Sequence, residues 1–174
     1  MDDLAALPDS ARLWLFALDG DPEALLADIR AFCASWASHG RSVRAAAGVL
    51  DGRVLAVAAL IDAEADRQVG DANAGVSGCG IDALQHAVEA AAARSGLALT
   101  PALDVTFHDG AWRSATRPAF RRLVRDGGAG SETLVLDLAP ATLGALRVAG
   151  GAVRPAGDSW HALTFGLHPS AAAH

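Results

Sequence analysis

The chain has 174 residues, of which 52% are apolar, and a formal net charge of −6 at neutral pH. This length and composition predict one domain with a substantial core, and the negative charge argues against nucleic-acid binding, which depends on basic residues that displace counterions from phosphates. The N-terminus lacks the basic flank and apolar run of a signal peptide, and no charge-free stretch of about twenty apolar residues occurs, so we expect a cytoplasmic protein without membrane contact.

The first predicted elements are a strand and a helix. Residues 11–18 form an apolar run typical of a strand, and the Asp-Pro pair at 21–22 supplies a helix cap followed by proline at the first helical position. The helix is predicted from 22 to 39, with Gly40 ending it. One stripe of this helix is apolar and is expected to be mostly buried; it comprises Leu25, Ile29, Phe32, Cys33 and Trp36.

A β-hairpin is predicted next. Two apolar runs, 42–50 and 53–61, flank an Asp-Gly pair at 51–52, which is the preferred pair for a two-residue hairpin turn. With a two-residue loop, Leu50 faces Arg53, and this pairing sets the register of every other pair along the two strands.

In that register Arg41 faces Asp62 at the open end of the hairpin. We interpret them as a structural ion pair, which contributes about 0.2–1 kcal/mol when exposed, while Asp62 is also available to a site in the loop that follows. The apolar face that this register predicts comprises Val43, Ala45, Ala47, Val49, Val54, Ala56, Ala58 and Leu60.

A polar loop at 63–75 leads to the remaining elements. These are a helix at 80–94, a strand at 103–107, a helix at 117–126, a strand at 133–138, a helical turn from Pro140 and a last strand at 160–167. The order strand, helix, strand, strand, helix, strand up to residue 107 predicts an α+β fold, a ferredoxin-like sandwich with a C-terminal helix–strand extension. Its helices would pack on a mixed, mainly antiparallel sheet. We expect a single domain over 1–168 and a disordered tail at 169–174.

The most informative segment is 75–82, where a cysteine stands among small residues at a predicted helix start. N–H groups at a helix N-terminus lack partners and carry partial positive charge, so they attract anions and favour the thiolate form of a cysteine. Asp82 would oppose a bound anion. The competing interpretation is that Cys79 packs against the sheet. The ligand-binding residues expected are Ser77, Gly78, Cys79, Gly80 and Asp82, together with Trp36 and Trp160.

A thiol enzyme would also need a base beside its nucleophile. His161 is the candidate, because strand parity places it on an apolar face with Leu163, and Asp62 or Asp82 would orient it. The catalytic set under this alternative is Cys79, His161 and Asp62. The other interpretation of His161 is a core histidine whose ring finds a hydrogen-bond partner.

No metal or cofactor is predicted. The candidate metal ligands are dispersed and lack diagnostic spacing; they are His39, Asp62, Glu64, Cys79 and His161. The sequence contains neither lysine nor a phosphate-binding loop, which excludes nucleotide hydrolysis by a P-loop. An arginine cluster indicates either a solvated helix face or a surface for a partner's acidic patch; it comprises Arg113, Arg117, Arg121, Arg122 and Arg125.

Four motifs together resemble a known family. They are Ser35-Trp36-Ala37-Ser38-His39-Gly40, Asp62-x-Glu64, Ser77-Gly78-Cys79-Gly80-Ile81-Asp82 and Ser159-Trp160-His161. Over most of residues 14–161 the chain resembles a family of small bacterial proteins of unknown function, many of which carry the label "ABC transporter ATPase". The resemblance implies a shape but no reaction, and Gly80 stands where it implies a second serine. The transporter label would require the lysine-containing loop that is absent here.

Three functional hypotheses follow from the sequence. The leading one is a binding module that holds a small anionic ligand or a protein partner at the loop and helix start, residues 62–82. The alternative is the thiol-dependent enzyme that uses Cys79. The third is a structural subunit of a larger assembly, for which a homodimer formed through a sheet edge would be suitable.

Overall fold

The computed structural model describes residues 2–38, 41–60 and 76–167. It shows a mixed α+β fold in which helices pack on antiparallel sheets, as the sequence predicts. The helices are α1 (Asp2–Ala5), α2 (Glu23–Ser35), α3 (Gly78–Arg94), α4 (Arg117–Arg125), α5 (Leu143–Ala149) and α6 (Trp160–Phe165), with a 3-10 turn at Ala156–Asp158. The strands are β1 (Arg12–Ala17), β2 (Ala37–Ser38), β3 (Arg41–Ser42), β4 (Arg44–Leu50), β5 (Val54–Leu60), β6 (Asp104–Asp109), β7 (Ala111–Thr116), β8 (Leu134–Leu136) and β9 (Val153–Pro155).

The first sheet has the order β1-β5-β4, and all its pairs are antiparallel. One of its faces packs against α2 and α3 to form what we call the first core. This core buries Leu25, Ile29, Leu55, Leu84 and Val88 completely. Cys33 and Trp36 also belong to it, with 5% and 4% of their surface exposed, which confirms the predicted buried stripe of α2.

The second sheet has the order β7-β6-β8-β9 and is also antiparallel. Its outer face packs under α4 and α6 in the outer core, which includes Val105, Phe107, Phe120, Val135 and Phe165. Between the two sheets lies the middle core, to which α1 and α5 contribute; it includes Leu4, Leu13, Val54, Leu136 and Leu143. The molecule therefore has helices on both outer sides and two sheets toward the middle.

The predicted hairpin is present, but its register is wrong by one residue. Asp51 and Gly52 take positive φ angles of 51° and 61° in the turn, and Arg53 N donates to Leu50 O at 2.9 Å. The ladder nevertheless pairs Leu50 with Val54, which leaves Arg53 as an extra residue. The shift moves Val54 and the residues that alternate with it to the face opposite the predicted one.

The reason for this error is that β5 is buried on both faces. Residues 54–59 are each exposed by 1% or less, so their apolar pattern could not select a register. The backbone of Arg41 pairs with Ser38 in the short β2–β3 ladder. Asp62, its predicted partner, lies outside the described residues, as do Gly40 and the loop at 63–75.

Part of the predicted ferredoxin-like strand order is present. The strands β1, β5 and β4 form one sheet, and a bridge at Leu99 adds to the edge of β1. Residues 98–100 lie along the edge of β1 that faces away from β5, through the antiparallel bridge between Leu18 and Leu99; a second bridge on this edge joins Arg12 to Thr142. Asp19 N donates to Ala98 O at 3.1 Å, and Thr100 N donates to Ala17 O at 2.9 Å. The strand predicted at 103–107 exists as β6, but it pairs in the second sheet. The ferredoxin-like arrangement as a whole stays a prediction.

The last predicted strand, 160–167, is wrong, because this segment is the helix α6. Ser159 caps the helix by accepting from His161 N, and Gly166 ends it with a φ angle of 67°. The alternating leucine and phenylalanine residues do not share a strand face, since Leu163 is 95% exposed and Phe165 is buried. The strands β7 and β9 are present although the sequence does not predict them.

Two other boundaries differ from the prediction. The helix α2 ends at Ser35 rather than at 39, because Trp36 turns into an extended conformation with φ −66° and ψ 126°. The helical turn expected from Pro140 begins after Thr142, whose side chain accepts from Ala145 N. In the described part of the chain, none of the helices has the length and hydropathy needed to cross a membrane.

Candidate functional site

The helix α3 begins with Ser77 as its cap, two residues earlier than predicted. The side chain of Ser77 accepts a hydrogen bond from Gly80 N at 3.2 Å. Gly78 and Cys79 occupy the first turn, where helix geometry gives their N–H groups no acceptor within the helix. The positive end of a helix of 17 residues is therefore presented at these two positions.

Ser38 holds this helix start in place through two contacts with Ser77. Its hydroxyl oxygen accepts from Ser77 N at 3.1 Å and lies 2.8 Å from the hydroxyl oxygen of Ser77. In this contact one hydroxyl donates to the other, and either can be the donor, so one hydroxyl proton is left without an acceptor among the described residues. Ser38 is only 2% exposed and Ser77 is half-buried, so a hydroxyl donor that a ligand can reach has to come from Ser77.

Ser38 is the member of this helix-start contact that is not among the predicted site residues. Its position in the segment Ser35–Gly40 was noted only as part of the family resemblance, since a serine after a buried tryptophan has no distinctive spacing to Ser77. The contact depends on the short strand β2, which brings Ser38 against α3 across a separation of 39 residues.

The two glycines of the helix start have different roles. Among the described residues, a Cβ atom at Gly78 would meet no heavy atom within 4 Å, so these residues leave that side of the helix start open. A Cβ atom at Gly80 would lie 2.8 Å from Val76 Cγ1 and 3.2 Å from Ser38 Oγ. A side chain at position 80 would therefore press on Val76 and Ser38, so close packing favours glycine there.

Cys79 is exposed, whereas Cys33 is buried in the first core. Burial raises the pKa of the Cys33 thiol to about 11 and keeps it protonated at neutral pH. Asp82 and His86 are exposed farther along α3. The structure thus places four of the expected ligand-binding residues, Ser77, Gly78, Cys79 and Gly80, at one helix end, with Asp82 in the next turn.

Trp36 lies in the first core. Its ring centroid is 5.2 Å from that of Phe32 and 5.8 Å from that of Trp14. Its indole N–H has no acceptor within the described ranges. With 4% exposure, Trp36 supports the first core rather than lining an open surface.

His161 and Trp160 lie in the outer core, away from the core beneath Cys79. His161 is 1% exposed and its Nδ1 lies 2.8 Å from Ser159 Oγ. Ser159 Oγ therefore lies within hydrogen-bond distance of both the ring nitrogen of His161 and, at 3.1 Å, Ala156 O. Burial lowers the pKa of His161 to about 4, and the nearby carboxylate of Asp137 opposes this lowering. His161 is accordingly a neutral core histidine.

Trp160 is stacked on His161. Their ring centroids are 3.9 Å apart, and the guanidinium of Arg117 lies 5.0 Å from the indole ring. The strand face that was expected to direct His161 toward residues 75–82 does not exist, because the segment is helical. Asp62, the third member of the predicted catalytic set, falls outside the described residues.

Two clefts occur elsewhere on the molecule. One of about 340 Å³ lies between α1, α2 and β4 and is bordered by Arg30 and Arg44. One of about 320 Å³ lies between α1, α5 and the hairpin turn at Asp51. The residues of the α3 start line neither of these two clefts.

The described ranges contain no group of three or more His, Cys, Asp or Glu side chains arranged to hold a metal ion. Three of the candidate ligands, His39, Asp62 and Glu64, lie outside those ranges. The chemistry that the described site can supply is therefore backbone N–H donation, one hydroxyl donor and one accessible thiol. Comparison of the chain with protein-family models, with curated proteins and with solved structures gave no match in any of the three.

Proposed function

We propose that this protein is a binding module that holds an anionic group at the start of α3. The group would accept hydrogen bonds from the N–H groups of Gly78 and Cys79 and from the hydroxyl of Ser77. A helix N-terminus combines unpaired N–H donors with partial positive charge, and phosphates and carboxylates bind to such ends. The ligand is either a small anion or an acidic side chain of a protein partner.

The observation that carries this proposal is the hydrogen-bonded pair Ser38–Ser77. The pair fixes the direction of the helix start, leaves a hydroxyl donor, and stands beside a glycine whose Cβ side is open. A site held rigid before binding loses less conformational entropy when the ligand arrives. Asp82 weakens the attraction for anions, so we expect modest affinity for a simple ion and tighter binding only when the ligand makes further contacts.

Titration with inorganic phosphate tests the proposal, with the amide resonances of Gly78 and Cys79 observed by NMR. We expect saturable shifts at these two amides that are lost in Ser77→Ala. The matched control is Thr116→Ala, because Thr116 caps α4 in the same way by accepting from Ala119 N at 3.4 Å. Each variant loses one helix cap, at a cost of about 0.5–2 kcal/mol in stability, but only Ser77→Ala should lose the phosphate response. Equal losses in both variants would leave the proposal without support.

The thiol-dependent enzyme remains the alternative, and the exposed thiol of Cys79 is the observation that favours it. His161, the base predicted for this enzyme, does not lie at the start of α3. It is buried in the outer core and hydrogen-bonded to Ser159. An enzyme that uses Cys79 would therefore have to take its base from residues outside the described ranges or from the substrate.

We also propose that β1, β4 and β5, with α2, α3 and the bridge at Leu99, form a ferredoxin-like unit with a reduced fourth strand. Its support is the strand order together with the antiparallel bridge at Leu99, on the edge of β1 that faces away from β5. We propose in the same way that the chain is related to the small bacterial proteins that its motifs resemble. This relationship implies no particular reaction.

A further inference from the structure

The strand β7 is an open edge of the second sheet. It pairs with β6 on one side, and within the described ranges no strand pairs with its other side. Ala111, Arg113, Ser114 and Thr116 are exposed along it. An edge strand presents unpaired N–H and C=O groups, and an extended peptide can add to such an edge as a further strand.

The segment that contains this edge is strongly basic. Residues 113–125 hold five of the fourteen arginines and no acidic residue, although the whole chain has a net charge of −6. The helix α4 follows β7 directly, with Thr116 as its cap. The open backbone edge and the arginine cluster are thus parts of one continuous surface, which we call the β7–α4 surface.

Aromatic rings of α6 hold two of these arginines in place. The guanidinium of Arg117 lies 5.0 Å from the ring centroid of Trp160, and that of Arg121 lies 5.6 Å from the ring centroid of Phe165. Arg121 also donates to Thr164 O at 3.4 Å. Cation–π contacts restrict the positions of these charged groups, so less entropy is lost when an anionic partner binds.

The register of the second sheet places Arg113 on the same side as the helix. Arg113 faces Phe107 across the β6–β7 ladder, and residues directly opposite each other in a ladder share a sheet face. Phe107 packs against Phe120 of α4, with ring centroids 5.2 Å apart. A strand added to β7 would therefore meet the arginines with every second side chain, because successive side chains of a strand alternate between the two faces.

We propose that the β7–α4 surface binds an extended acidic segment of a partner protein, which adds to β7 as a strand and carries acidic residues at every second position. A second copy of this chain fits less well, because pairing two β7 edges would bring two arginine clusters to one junction and like charges would repel. Nucleic acid also fits less well, since it does not use a backbone edge and the net negative charge of the chain repels a long polyanion.

Fluorescence anisotropy with synthetic peptides tests this inference on the full chain. The probe is a labelled peptide of about eight residues in which glutamate and threonine alternate. Its control has the same composition with all glutamates placed first. At an ionic strength of about 0.15 M, we expect the alternating peptide to bind roughly tenfold more tightly than the block peptide. Equal binding would show that charge alone drives association and would overturn the strand-addition mode.

Two double variants test whether the alternating peptide binds at the β7–α4 surface. Arg113→Gln with Arg125→Gln removes two charges from the β7–α4 surface, one of them, Arg125, ion-paired with Asp126. Arg30→Gln with Arg94→Gln removes two charges from exposed ion pairs elsewhere. We expect the first pair to weaken binding of the alternating peptide roughly tenfold and the second to leave it within about twofold. Equal effects would overturn the assignment of the site.

Hydrogen exchange gives a readout that is independent of affinity. Binding of the alternating peptide should slow exchange of the β7 amides that point away from β6. Absence of this protection at saturation would overturn the proposal, as would tighter binding of a single-stranded oligonucleotide of equal charge. A dimer in solution that dissociates in Arg113→Gln would likewise overturn it, by assigning the edge to a second copy.

Discussion

Asp51 and Val153, which are 102 residues apart in the chain, are joined by a hydrogen bond of 3.1 Å from the Val153 backbone N–H to Asp51 Oδ2. The same oxygen accepts from Ala152 N, also at 3.1 Å. The aspartate of the hairpin turn thereby connects the first sheet to the start of β9. Its side chain does this from a backbone conformation with a φ angle of 51°, which aspartate and asparagine tolerate better than most residues.

Replacing Asp51 should therefore destabilise the contact between the first sheet and the start of β9. We expect Asp51→Ala to lower the free energy of unfolding by about 1–3 kcal/mol, because two backbone donors lose a charged acceptor. Asp51→Asn is the control, since it keeps an oxygen acceptor and tolerates the same φ angle. Urea unfolding measures the difference, and an alanine variant as stable as the asparagine variant would contradict the role assigned to this carboxylate.

The buried imidazole of His161 predicts a loss of stability in acid. Burial lowers its pKa from 6.5 to about 4 in the folded state. Between these two values the unfolded chain binds a proton that the folded chain does not, so the free energy of unfolding falls as pH decreases from about 6.5 and levels off for this group below about 4. A difference of that size corresponds to a loss on the order of 3 kcal/mol.

The control for this pH dependence is His161→Phe, which cannot titrate at this position. Chemical unfolding at several pH values from 7 to 4 compares the two proteins, and the variant should lack the part of the slope that His161 contributes. Parallel stability curves for the two proteins would show that His161 does not have the lowered pKa.

The two thiols should differ strongly in reactivity. We expect iodoacetamide to modify Cys79 in the native protein, whereas Cys33 should react only after unfolding, because it is 5% exposed and burial raises its pKa to about 11. Mass spectrometry of digested protein identifies the modified residue. Cys79→Ser should abolish native labelling and Cys33→Ala should leave it intact, so rapid native labelling of Cys33 would contradict the packing of α2.

The two glycines of the α3 start provide a matched pair of substitutions. Gly80→Ala should destabilise the fold by about 1–3 kcal/mol, because its Cβ atom would press on Val76 and Ser38 in a closely packed region. Gly78→Ala should be neutral or stabilising by about 0.4–1 kcal/mol, because its Cβ atom has open space and the unfolded chain loses freedom. Thermal unfolding of the two variants gives the comparison, and equal melting temperatures would refute the packing described at Gly80.

Local patterns were sufficient to predict several elements. The Asp-Gly turn, the apolar stripe of α2 and the end of α3 at residue 94 all depend on neighbouring residues, and each is present in the structure. The register of the hairpin was not predictable in the same way, because β5 is buried on both faces. The strand β7 was missed for the opposite reason: it has no apolar alternation, since most of its residues are exposed.

Only the part of the candidate site whose residues adjoin one another in the sequence was predicted. Ser77, Gly78, Cys79 and Gly80 adjoin one another, so a pattern typical of a helix start could identify them. The contribution of Ser38 depends on a contact across 39 residues, and no spacing rule indicates it. The role given to His161 failed because it required a strand, whereas Ser159 and Gly166 define a helix whose inner face buries the ring.

Burial of β5 on both faces also has a consequence for protein synthesis. One face of residues 54–59 is covered by α2 and α3, and the other by residues from both ends of the chain, including Leu4, Leu136, Leu143 and Leu146. A ribosome that has released only the first hundred residues would present a chain whose central strand lacks part of the cover on one apolar face. Such strands associate with one another when they are exposed. We therefore expect the incomplete chain to aggregate more readily than the complete one.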